Sequence, residues 1–269
     1  MIAIFPEKVI STILKHDSKT TSYKIALLRA INDVVLTYPD LRTYQLPVAV
    51  PLKLLAKFWV AYYWPFVDLA SPIQQAQQAT RDGKVRNDMA FRPELSQLRE
   101  EWEQAVGELK NPADGFFLIN ELTSPRKWQN YPDGLVEALS KAVSAIARTL
   151  EMPIRYAGPG EWNIFGKPQR YSAIAGCTVS VPGTHERDRC VVISFELWES
   201  FRQMSLWIEA LCIHEWCLFT EKASGVNRGV IYSLLTARPD NRRPLTWERN
   251  QIDILMMEGA AFTCPWTER

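Results

Sequence analysis

Two stretches of the chain hold residue types that do chemistry. LCIHEWC places Cys212, His214, Glu215 and Cys217 within six positions. Thiol, imidazole and carboxylate at such density are the side chains of metal sites and of Cys–His nucleophiles. Helical spacing decides how much of that set can act together. His214 and Cys217 are three apart and share a face, while Cys212 and Glu215 point elsewhere. The string is not H-E-x-x-H, because Leu218 holds the fourth position after His214. Only three His occur in the chain, which excludes a His-rich site. A buried, hydrogen-bonded helix histidine at 214 is the reading these residues favour over a ligand or a nucleophile's base.

The second stretch is TARPDNRRPLTWERNQ. Arg238, Arg242, Arg243 and Arg249 fall within twelve residues, around two prolines and Trp247. Guanidinium forks match the oxygens of a phosphate, and a proline-stiffened loop loses little entropy in presenting them. The competing reading is a structural hub, since Asp240, Glu248 and Asp253 are close enough in sequence to pair with those arginines. Both readings stand. TRDGKVRND (Arg81, Lys84, Arg86) and SPRKW (Arg126, Lys127) are weaker basic stretches and read as solvated loops. No pair of carboxylates stands in a setting that implies acid–base work. A phosphate-binding Gly-rich loop, G-x-S-x-G and a dinucleotide fingerprint are all missing from the sequence. No catalytic residue is legible.

Charge and cysteine usage narrow the classes. A formal net charge of +1 means that any nucleic-acid contact must come from a local patch. The five Cys are odd in number and form no C-x-x-C pair, which argues against a disulfide framework and against a self-contained four-ligand zinc site. MIAIFPEKVISTILKHD has no basic region ahead of its apolar residues and carries charges throughout, unlike a signal peptide or a membrane span. A reducing cytoplasm is the expected compartment.

The elements that must position these residues are mostly helices. SYKIALLRAINDVVLTY repeats apolar residues at Tyr23, Leu27, Ile31, Val34 and Tyr38, with Thr21 or Ser22 as its cap. PLKLLAKFWVAYYWP is apolar on most sides and starts with Pro51 at its first helical position. The Gln-rich IQQAQQATRDGK is helical by propensity and reads as exposed. RPELSQLREEWEQAVGEL and PDGLVEALSKAVSAIARTLEM each carry one buried stripe. From Pro153 the texture changes: IRYAG, WNIFG, YSAIAG, TVSVPG and RCVVIS are short and β-branched, and predict a small sheet. Helices resume with FELWESFRQM, SLWIEALCIHEWCLFTEKAS, NRGVIYSLLTA and WERNQIDILMMEG, the last capped by Thr246 and closed by Gly259. The fold class expected is mainly α with a small β region. Its spans are a helical part over 1–150, a β-rich part over 151–194, a helical part with the Arg-rich loop over 195–260, and the start of a further module over 261–269.

With these strings in view, a family resemblance enters. SFELWESFRQMSLWIEALCIHEWCLFTE, followed by GVIYSLLTARPDNRRPLTWERNQIDILMMEGAAFTCPWT, resembles the segment preceding the nuclease core in a group of bacterial HNH-endonuclease proteins. LKLLAKFWVAYYWP resembles their N-terminal helical half. The resemblance implies that Cys264-Pro265-Trp266-Thr267 sits at the first strand of a ββα-metal finger. An Asp-His pair and a later Asn and His would follow there, holding a divalent Mg or Mn ion that activates water against a phosphodiester. The sequence stops before those residues, so the expectation is a portion without catalytic residues or metal ligands of its own.

Two functions follow as expectations. One is the DNA-binding and scaffolding portion of an HNH-family nuclease in bacterial defence or restriction, with Arg238, Arg242, Arg243, Arg249 and Trp247 on double-stranded DNA and the divalent ion confined to the nuclease core. The other is a non-catalytic interaction subunit of a multi-component complex, docking through the strand AAFTC or a polar face of SPIQQAQQAT. A metalloenzyme centred on His214 and Cys217 is a third, weaker reading.

Overall fold

The computed structural model describes residues 6–77, 80–81, 84–85, 89–107 and 111–237. The helices come first: α1 (Pro6–Lys15), α2 (Tyr23–Thr37), a 3-10 turn over Pro39–Tyr44, then β1 (Val48–Pro51) leading without a break into α3 (Leu52–Tyr63). A short hairpin of β2 (Thr80–Arg81) and β3 (Lys84–Val85) precedes α4 (Arg92–Val106), α5 (Asp114–Thr123), α6 (Pro125–Trp128), α7 (Asp133–Thr149) and α8 (Glu151–Arg155). Then follow β4 (Gln169–Arg170), α9 (Tyr171–Ile174), β5 (Val179–Ser180), β6 (Arg189–Ile193), α10 (Phe195–Gln203), α11 (Ser205–Ser224) and α12 (Arg228–Thr236). The fold is mainly α with a small mixed sheet of order β4-β6-β1-β5.

The sheet ties distant parts of the chain together. β1 pairs antiparallel with β6, Val50 opposite Val191, and parallel with β5 on its other side. Val48, Ala49 and Val50 are wholly buried, so both faces of this strand are covered and its sequence shows no alternation. α2 is buried nearly all round, packed by α3, α10 and α11. The spans 1–150, 151–194 and 195–237 therefore contribute to one continuous core.

Several local expectations shift. Pro51 ends β1 and caps α3 from outside rather than standing at its first helical position. Ser22 precedes α2, yet its hydroxyl is spent on Tyr63 Oη at 2.8 Å and makes no cap. Of the strands expected after Pro153, IRYAG falls within and beyond α8 and YSAI is helical; only the segments around Val179 and Cys190–Ile193 pair in the sheet. The Gln-rich stretch is extended across residues 71–77, not helical, and Gln75 is completely buried. One glycine is required by packing. A Cβ on Gly115 in α5 would lie 2.7 Å from Trp64 Cβ and 2.9 Å from Ala61 Cα, so its absence lets α5 close on α3.

Candidate functional site

α11 is the element on which the tempting residues sit, and its four faces meet different surroundings. Trp216 and Thr220 point into the core, where Gln75 Oε1 accepts from Trp216 Nε1 at 2.7 Å and from Thr220 Oγ1 at 3.2 Å. The Trp216 ring lies among Tyr62, Tyr63 and Phe66, with centroids 5.1–6.3 Å away. Cys212 is buried toward α2, and burial pushes its thiol well above the ordinary range, opposed by the positive Arg29. A buried neutral thiol of this kind is neither a nucleophile nor a ready metal ligand.

The opposite stripe of α11 faces a cleft of about 540 Å³ between α11 and α12, lined by Leu206, Glu209, Ala210, Ile213, His214, Cys217, Arg228, Gly229 and Tyr232. His214 and Cys217 do share this face, as their spacing requires. His214 is not the buried, hydrogen-bonded histidine expected: it is exposed, and no described residue bonds its ring. The expectation rested on the rule that polar groups inside a helix are buried and satisfied; α12 is nine residues long and, among the described residues, leaves that stripe of α11 open. Cys217 is 2% exposed and burial raises its thiol, so the pair has the spacing of a Cys–His couple without its ionisation. Among the described residues, no three His, Cys, Asp or Glu side chains converge as a metal site. The metalloenzyme reading finds no converging ligand set there. Arg228 reaches back to Glu221 Oε2 through Nη2 at 2.6 Å and Nε at 3.0 Å, fixing the start of α12.

Beneath the cleft lies a feature that sequence reasoning missed. Arg29 of α2 is 1% exposed, donates from Nη2 to Leu235 O at 3.0 Å, and sets its guanidinium 4.5 Å from the centre of the Tyr62 ring. Leu235 stands in the last turn of α12, where carbonyls lack helical partners and carry the negative end of the helix dipole. A buried cation therefore caps α12. Among the described residues, Arg29 Nε and Nη1 have no partner. Tyr62 Oη donates to Asp33 Oδ2 at 2.5 Å, and Asn32 Nδ2 donates to Ser205 O at 3.2 Å, so a thin polar seam joins α2, α3, α11 and α12. Arg29, Asn32 and Asp33 within a helix otherwise rich in apolar residues were the sequence signal of it.

A second cleft of about 590 Å³ opens between residues 17–24 and the loop that follows α8. Asp17 Oδ2 accepts from Lys24 Nζ at 2.8 Å and from the Gly158 amide at 2.7 Å. Gly158 has φ +75°, and a Cβ there would meet Ile164 at 2.8 Å, so glycine is required twice over. Lys19 donates to Asp17 O at 3.1 Å, and burial lowers its pKa against the opposing pull of Glu215 and Asp17. These groups satisfy one another and close the α1–α2 turn onto the loop.

The remaining basic residues scatter. Arg81 and Lys84 face each other across the β2–β3 hairpin, and Arg86 lies outside the described residues. Arg126 and Lys127 form part of α6 rather than a loop, and Lys127 pairs with Glu121 at 2.7 Å. Arg238, Arg242, Arg243, Trp247 and Arg249 also lie outside the described residues, as do Cys264 and the AAFTC segment. The structure therefore brings none of them together or apart. What it does define is their point of departure, just after the turn that Arg29 holds.

The comparisons with known proteins end at the same place. The family model for DUF8808, a domain of unknown function, matches residues 4–235, and the chain belongs to this family. No curated protein and no solved structure matches it.

Proposed function

We propose that this DUF8808 domain is the nucleic-acid-binding and scaffolding portion of an HNH-class nuclease, working on double-stranded DNA in a bacterial defence or restriction setting in the cytoplasm. The observation that carries the reading is the Arg29 cap on Leu235. It ties the end of α12 to the core three residues before Arg238 in sequence. Arg238, Arg242, Arg243 and Arg249 then grip backbone phosphates, and Trp247 packs against the sugar–phosphate edge. Phosphodiester hydrolysis and its Mg or Mn ion belong, in this reading, to the nuclease core of the family resembled; the arginines supply grip and the described residues supply position.

Fluorescence anisotropy with a short DNA duplex tests this. Binding should weaken steeply with salt, and each Arg→Ala change at 238, 242, 243 or 249 should lower the slope of log K against log salt by about one. Binding that ignores salt, or that survives loss of all four arginines, would end the reading.

The non-catalytic interaction subunit remains the second reading, and one observation favours it. Trp207 on α11 is 75% exposed, with Val230 and Tyr232 of α12 also more than half exposed. Surface aromatics of this kind are common anchors at protein interfaces. Within the Gln-rich stretch, Gln75 is committed to Trp216 and Thr220, while Gln77 stays exposed. Sedimentation of the protein with its co-purifying neighbours separates the two.

A further inference from the structure

The cleft of about 590 Å³ beside the α1–α2 turn has two unlike walls. One carries Ser18, Lys19, Thr20 and Thr21; the other, from α8 and the loop after it, carries Met152, Pro153 and Tyr156. Its charges are matched, with one exception. Asp17 pairs with Lys24 at 2.8 Å, and Glu161 pairs with Arg155 at 2.6 Å. Lys19 has no carboxylate at ion-pair distance among the described residues. It spends one donor on Asp17 O at 3.1 Å, and an ammonium has three. Burial lowers its pKa, Glu215 and Asp17 pull it back from a distance, and Lys24 adds to the lowering. The positive charge is thus held at a cost that a bound anion would relieve.

The groups around Lys19 choose the anion. Ser18 and Thr20 are exposed and Thr21 is half-buried, and none of the three hydroxyls bonds another described residue. An ammonium with three unspent hydroxyls beside it suits the terminal oxygens of a phosphate monoester, which accept several hydrogen bonds at once. The facing wall suits a ring. Tyr156 is 37% exposed and Met152 56%, so an aromatic surface and a thioether chain stand open opposite the polar wall. The volume falls in the range of small-molecule sites.

We propose that this cleft binds a small aromatic phosphate of nucleoside monophosphate size. Lys19 and the hydroxyls of Ser18, Thr20 and Thr21 hold the phosphate, and the ring lies against Tyr156 and Met152. Binding there uses no residue of the Arg-rich run, so it is independent of the duplex reading.

Isothermal titration calorimetry of the full chain with AMP, GMP, CMP and UMP tests the site, with the four nucleosides and inorganic phosphate as controls. At least one monophosphate should bind saturably, about tenfold more tightly than its nucleoside or than phosphate alone. Lys19→Met should weaken it about tenfold, Lys19→Arg should keep most of it, and Tyr156→Ala should weaken it about fivefold. Ser18→Ala with Thr20→Ala, at exposed positions, should weaken it about threefold and serves if Lys19→Met disturbs the fold. No saturable binding by any of the four overturns the proposal. So does binding that the Lys19, Ser18/Thr20 and Tyr156 variants all leave unchanged, or that loss of the four arginines removes, because the nucleotide then sits elsewhere. A nucleoside that binds as tightly as its monophosphate overturns it too, since the phosphate then contributes nothing.

Discussion

Three arginines are buried among the described residues, Arg29, Arg99 and Arg202, and the first two are treated in opposite ways. Arg99 of α4 is surrounded: Nη2 donates to Asp68 Oδ2 at 2.5 Å, Nε to Glu103 Oε1 at 2.8 Å, Nη1 to Trp64 O at 3.1 Å, and its guanidinium lies 5.9 Å from the Trp64 ring. Asp68 in turn accepts from the amides of Ala70 and Ser71. Arg29 has one carbonyl, one aromatic face and no carboxylate bonded to it. The α4 side is a complete ionic network that holds the 3-10 turn after α3 against α4. The α2–α12 side holds a cation whose remaining donors the described fold leaves over.

Several measurements would break or sharpen that contrast. Trp216→Ala removes a fully buried ring beside Tyr62, on the Arg29 side of the core, and should destabilise by about 4 kcal/mol in urea unfolding. Asp68→Ala removes one of the two carboxylates on Arg99 and the acceptor of the Ala70 and Ser71 amides, and should lose about 2 kcal/mol, because Glu103 and Trp64 O still hold the guanidinium. Gln75→Leu deprives Trp216 Nε1 and Thr220 of their acceptor and should lose about 2 kcal/mol. Arg29→Met fills the same volume without orphaned donors and should shift stability by about 1 kcal/mol or less, while lowering hydrogen-exchange protection at the end of α12. Equal losses at Asp68 and Arg29 would erase the distinction between the two sites.

A pH measurement gives the smallest effect. Burial, helped by Asp188, pushes the Cys190 thiol up to about 12. In the unfolded chain a thiol ionises near about 8.5. The folded state keeps the proton that the unfolded state gives up, so this contribution is intact below that lower value and is lost progressively as pH rises toward the folded one. Under reducing conditions, unfolding midpoints should fall between about pH 8.5 and pH 10, and Cys190→Ala should flatten part of that decline. A midpoint that rises over this range would contradict the burial assigned to Cys190. Exposed Cys177, by contrast, should be the first of the described thiols to alkylate.

Much of the helical scaffold was legible because its period is local. Leu135, Leu139, Val143, Ile146 and Leu150 announce α7, and Leu95, Leu98 and Trp102 announce α4, since each stripe is written within a few turns of itself. β1 was not legible. Its VAVP reads as a prelude to α3, and it becomes a strand only because Val191 and Val179 arrive from more than 120 residues away in sequence to bond it. Gln75 misled for the same reason. Its propensity argued for an exposed helix, and a single long-range acceptor role toward Trp216 outweighed it. At the candidate site, the shared face of His214 and Cys217 was readable from spacing, whereas the openness of that face depended on how short α12 is.

The sequence alone therefore settled where the long helices α2, α3, α4, α7, α10 and α11 lie, and that no ready-made catalytic motif is written in the chain. Those properties follow from backbone periodicity and residue chemistry, which act over a handful of positions. Only the tertiary structure decided that Arg29 caps α12, that Gln75 is interior, and that the α11 stripe stands open. Each depends on which distant surfaces meet, and burial, not residue type, sets whether a polar group is satisfied, stranded or free to bind.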